Sequence, residues 1–94
     1  MELNEGLLTQ IVEDVRLEYQ IPPYFEDEGL MNFAREGTTY LLAKNPLGNI
    51  ETDVTFQMLL KNYIYYAYHH RVNEWKDNYS SMILEWMLNA EVES

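Results

Sequence analysis

Apolar side chains recur at helical spacing in four stretches of this chain, and no stretch alternates in the two-residue period of a strand. Leu8, Ile11, Val12, Val15 and Tyr19 form the first series. Leu30, Phe33, Ala34, Gly37 and Leu41 form the second, and Tyr79, Met82, Ile83, Trp86 and Ala90 the last. Between the second and the last lies a longer run, 54–72, whose inner stripe is Phe56, Leu59, Leu60, Tyr63, Ala67 and His70. The pattern predicts an all-α fold, a small four-helix domain with helices near 3–20, 26–43, 53–75 and 79–90. The tyrosine-rich third helix is expected at its centre.

The side of the third helix facing away from that stripe is not polar. Met58, Tyr65, Tyr68 and Val72 cover much of it, broken only by Lys61, Asn62 and His69. A helix apolar nearly all round lies at the centre of a large protein or is covered from a second side. Ninety-four residues build one thin core, so a partner is the expected cover.

The elements between these stripes follow from local chemistry. Asn4 is the expected cap of the first helix, and Pro22-Pro23 ends it, since proline donates no helical hydrogen bond. Tyr24 and Phe25 are expected to fold onto the core. Glu26-Asp27-Glu28 opens the second helix, where negative charge is favoured. Gly37 beside Ala34 suggests either close approach of a neighbouring helix or a weak point in its own. Lys44 to Asp53 reads as a loop, turned by Pro46 and Gly48, with Leu47 and Ile50 free to tuck in or to project. Thr52 or Asp53 caps the third helix, and Asn78 or Ser80 the fourth.

Composition narrows the function. At 47% hydrophobic and 14% aromatic residues, the chain is too apolar for disorder. Without cysteine it has neither a disulfide framework nor a thiolate metal site, which fits a reducing cytoplasm. The acidic start and the lack of a long apolar run predict no secretory signal and no membrane span. Sixteen acids against six bases give a formal charge of −10, and the six bases stand one by one along the chain. Tight nucleic-acid binding needs clustered Lys and Arg, so it is not expected, nor is binding to an anionic membrane.

No constellation supports catalysis, and neither cofactor nor metal is expected. His69 and His70 diverge by about 100° on a helix and cannot share one ion. His70 lies four residues before Glu74, which predicts a structural pair. The acids 26–28 lack the alternating ligands and turn glycine of a calcium loop. Capping accounts for Ser80 and Ser81.

Four stretches carry a resemblance to a known family. They are Gly37-Thr-Thr-Tyr-Leu-Leu42, Leu59-Leu-Lys-Asn-Tyr63, Tyr65-Tyr-Ala-Tyr68 leading to Asn73-Glu-Trp75, and Asp77-Asn-Tyr-Ser-Ser81 before the apolar last helix. In this order the chain resembles the small head–tail connector (adaptor) proteins of tailed phages and prophages. The resemblance implies a structural virion protein, not an enzyme, that forms a ring beneath the portal and continues the DNA channel. Its implied partners are copies of itself, the portal protein, and a tail-side connector or stopper protein. The implied place is the head–tail junction of the virion, reached from the host cytoplasm during assembly.

A closed ring of identical subunits needs two unlike faces on each. Met58, Tyr65, Tyr68 and Val72 are the candidates for one; Leu47, Ile50, Trp86 and Met87 are the candidates for the other. A strongly acidic lining suits a channel that DNA crosses without sticking. The other reading of the charge is an acidic phage-encoded inhibitor that mimics DNA in a host protein's nucleic-acid site.

Overall fold

A computed structural model describes residues 5–93, with side chains as far as 89. Four helices follow in order: α1 (Glu5–Glu18), α2 (Asp27–Lys44), α3 (Val54–Tyr68) and α4 (Val72–Glu93). α3 packs against all three others, α1 also packs on α2, and α4 rests chiefly on α3. The architecture is all-α, and no strand occurs among the described residues. The expected cap Asn4 lies outside them.

Most stripe positions are buried, while Tyr19, Phe33, Tyr79 and Met82 are half-buried against the core. Leu8, Ile11, Val12 and Val15 of α1 meet Leu30, Ala34 and Leu41 of α2 in one core with Phe56, Leu59, Leu60, Tyr63, Ile64 and Ala67 of α3. Ile64, which falls outside the expected stripe, is fully buried and widens it. Trp75, Ile83 and Trp86 close the core from α4. Gly37 marks a close approach rather than a weak point. A Cβ there would stand 2.8 Å from Leu60 Cδ1 and 2.7 Å from Tyr63 Cδ1, so only glycine lets α2 and α3 come this near.

α2 starts after Glu26, with Asp27 and Glu28 in its first turn. Asp53 caps α3, its side chain accepting from the Phe56 N–H at 3.2 Å. Gly48 folds the intervening loop against the core, where a Cβ would stand 2.9 Å from both the Phe56 and Trp86 rings.

The break between the last two helices differs from expectation. α3 stops at Tyr68, not near 75, and α4 begins at Val72, not near 79. His70 takes a left-handed backbone (φ 59°). The Arg71 N–H donates to Tyr66 O at 2.8 Å and the His70 N–H to Ala67 O at 3.0 Å. These are the two bonds of a Schellman cap, which satisfies the last carbonyls of α3. His70 is therefore exposed outside the helix, not on its inner stripe. Glu74 pairs with Arg71 at 3.4 Å in place of His70. Val72 and Trp75 belong to α4, and Asn78 and Ser80 lie inside α4 rather than capping it. Gln20 (φ 53°) ends α1 in the same way, with the Ile21 N–H on Arg16 O at 3.1 Å.

Two substitutions check these assignments by denaturant titration. Gly37→Ala lowers stability by about 1–3 kcal/mol, because overpacking against Tyr63 outweighs the gain in helix propensity. His70→Gly raises it by about 0.5–1 kcal/mol, since glycine adopts the left-handed cap without the steric cost.

Candidate interaction surface

The outer side of α3 is covered largely by its own chain. Asn62 sits at the middle of that cover. Its Oδ1 accepts from Tyr19 Oη of α1 and from Tyr79 Oη of α4, each at 3.2 Å. Its Nδ2 donates to Met58 O at 2.9 Å. One amide on α3 thus ties α1 to α4. Around it Tyr65 stacks on Tyr19 with centroids 4.4 Å apart, and Tyr66 meets Tyr79 edge-on at 6.1 Å. Burial pushes the Tyr19 and Tyr79 hydroxyls up from their ordinary value, with nearby Glu18 adding to the rise at Tyr19 and Tyr66 at Tyr79. Tyr63 is raised by burial first and by Glu36 second.

Met58, Tyr65, Tyr68 and Val72 consequently do not make one exposed face. Tyr65 is half-buried on Tyr19, and Tyr68 is half-buried with its edge on Phe25 at 4.9 Å. Val72 packs against the core at the start of α4. Met58 is the exposed member, and Val54 one turn before it is 75% exposed.

Of the second set, the structure brings Leu47 and Trp86 together and leaves Ile50 and Met87 half-buried against the core. Leu47 and Trp86 line a cavity of about 600 Å³ between the α2–α3 loop, the first turn of α3 and the end of α4. Asn45, Asn49, Thr52, Thr55 and Asn89 give it a polar but uncharged wall, with Leu47 and Val54 at 63% and 75% exposure. Among the described residues of the lining, Asp53 is the one ionisable group. Its carboxylate is already engaged, with Oδ1 on the α3 cap and Oδ2 accepting from Trp86 Nε1 at 2.6 Å. Asn45 is buried; its Oδ1 accepts from the Leu47 N–H, while its Nδ2 has no acceptor among the described residues.

The bases are committed to contacts within the fold. Arg16 binds Asp27 at 2.7 Å, Arg35 binds Glu5 at 2.6 Å, and Lys61 binds Glu18 at 3.1 Å. Lys44 and Lys76 both lie over the Tyr40 ring. Among the described residues no three His, Asp or Glu side chains are placed to hold a metal ion, and no helix is long and apolar enough to cross a membrane.

Sequence periodicity did not single out several exposed side chains. Leu84 and Leu88, 54% and 50% exposed, lie one turn apart on α4 away from its buried stripe. Tyr24 is 83% exposed, whereas its neighbour Phe25 folds onto the core as expected. The signal available for Leu84 and Leu88 was their position opposite Trp75, Ile83 and Trp86 on the helical wheel. Nothing in the sequence separates Tyr24 from Phe25.

The tyrosine cover makes stability sensitive to alkali. The raised hydroxyls of Tyr19, Tyr63 and Tyr79 keep their protons in the fold at a pH where the unfolded chain has lost them. Their contribution is complete below about pH 10 and lost as pH rises through the folded values. Denaturation midpoints measured above about pH 10 should therefore fall, and Tyr19→Phe with Tyr79→Phe should reduce that slope.

Compared with protein families, curated proteins and solved structures, the chain matches none.

Proposed function

We propose that this chain is a head–tail connector subunit of a tailed phage or prophage, a structural protein that forms a ring beneath the portal and offers the tail its attachment surface. The observation that carries the reading is the set of separate apolar surfaces left on so small a bundle. Leu47 and Val54 rim a cavity at one end whose lining holds one carboxylate, that of Asp53, and Leu84 and Leu88 stand out along α4. A subunit held between ring neighbours, portal and tail needs several unlike contacts, and isolated monomers seldom leave such groups together without a use.

Charge supports the same reading. Arg16, Arg35, Lys61 and Arg71 face carboxylates, which leaves Lys44 and Lys76 beside Tyr40 as a single cationic pair, too few charges for tight DNA binding by counterion release. Acids facing a channel repel the passing duplex and keep it from adhering. In this reading the protein works in the virion, at the head–tail junction, after assembly in the host cytoplasm.

The test is assembly. Mixed with the portal protein of the same phage, the chain should give a ring-shaped complex by electron microscopy. Capsids made without it should package DNA but fail to retain it or to join tails. Infectious particles from such capsids overturn the connector reading. Tight binding to a host nucleic-acid-binding protein, displaced by DNA, would put the DNA-mimic reading in its place.

A further inference from the structure

We infer that the cavity beside Trp86 is a site for a primary alkylammonium group, the chemistry shared by a free di- or polyamine and a lysine side chain.

Asp53 is the centre of the site. Its two oxygens accept from the Phe56 N–H at 3.2 Å and from Trp86 Nε1 at 2.6 Å. Both donors are neutral, so they orient the carboxylate without cancelling its charge. A carboxylate has about four lone-pair positions, and these contacts use two. Among the described residues no cation takes the others. Arg16, Arg35, Lys61 and Arg71 pair with Asp27, Glu5, Glu18 and Glu74, while the Lys44 and Lys76 amines lie over Tyr40. Asp53 is thus an oriented carboxylate on a cavity wall with no counter-charge from the fold.

The elements around it deepen the negative potential. The cavity lies between Asn45, the C-cap of α2, the start of α3 and the last turns of α4. A helix C-terminus carries about half a negative charge, and the positive end of α3 offsets only about half of the Asp53 charge. α4 ends at Glu93, one turn past Asn89, with no basic residue in its last turn. At the end of α2 the Lys44 amine turns back over Tyr40. Exposed Glu51 and Glu85 stand next in the chain to the lining residues Thr52 and Trp86. The sum favours a cation.

The lining selects the kind of cation. One carboxylate is too few ligands for a metal ion, and no group of three His, Asp or Glu among the described residues could supply more. A guanidinium prefers a carboxylate with both oxygens open to its planar fork, and here an N–H already occupies each. An ammonium is a point charge with three donors. Asp53 and the oxygens of exposed Asn49, Thr52 and Asn89 can satisfy them. Leu47 and Val54, 63% and 75% exposed, offer apolar cover for the methylene stem behind it. At about 600 Å³ the cavity has room for such a chain. The site is independent of ring assembly.

The test is a titration of the full chain at neutral pH, followed at the Trp86 indole N–H by nuclear magnetic resonance. The probes are cadaverine, acetyl-lysine methylamide and, as a neutral control, pentanol. Both amines should shift that signal saturably, and pentanol should not. Asp53→Asn keeps a capping oxygen on α3 and should weaken both amines about tenfold or more. Asn89→Lys sets a tethered ammonium at the rim and should weaken them too, which decides the matter if Asp53→Asn folds poorly. Glu13→Gln removes an exposed acid of α1 and should change nothing. Tighter binding of cadaverine assigns the site to free amines, because its second ammonium is then in use. Equal or tighter binding of the lysine probe assigns it to a lysine side chain of a partner. No saturable shift, equal binding of pentanol, equal losses in Asp53→Asn and Glu13→Gln, or an Asn89→Lys chain that binds as well as the wild type overturns the inference.

Discussion

Every other helix is placed by the need to cover α3. Its sequence is apolar on two sides, and a fifteen-residue helix of that kind is stable only when wrapped. The chain wraps it with α2 on the glycine side, α1 across Tyr19 and Tyr65, and α4 along Trp75, Tyr79 and Trp86. Gly37 sets how close α2 comes, and Asn62 provides the polar site at which α1 and α4 meet over the helix. Tyrosine suits such a cover, since its ring buries area while its hydroxyl keeps a partner. The richness in tyrosine thus serves the fold before it serves any second protein.

That distinction also marks where sequence reasoning stopped. Four stripes gave four helices because burial on one face imposes a period, and Leu8 to Val15 and Leu30 to Leu41 lie where that period puts them. The end of α3 was missed for a physical reason: neither glycine nor proline marks it, and His70 accepts a left-handed backbone instead. A quieter signal was present. Continuing the α3 stripe past Ala67 places His70, Arg71 and Glu74 in the core register, where a charged pair has no place. Restarting at Val72 moves all three outside and brings Trp75 in.

The candidate site was less legible than the fold. Apolar residues away from a helix's own stripe have no period of their own to report, so Tyr65 and Tyr68 looked free although Tyr19 and Phe25 cover them. Which of Tyr24 and Phe25 turns inward depends on the turn geometry that Arg16 fixes from eight or nine positions away. Leu47 and Trp86 were identifiable as apolar residues near loop and terminal helix; that Gly48 draws them together around one cavity is a property of packing.

The distribution of charge gives the bundle a direction. Arg16, Arg35 and Lys61 each bridge helices, α1 to the α1–α2 turn and α2, α1 to α2, and α3 to α1. These bridges are partly exposed, so each adds little stability by itself. Their larger effect is positional: they gather the cations around α1, where Glu13, Asp14, Glu18, Asp27 and Glu28 also crowd. The loop end of α3 is the counterpart, lined by amides, hydroxyls and two exposed aliphatic groups, with Asp53 held inside.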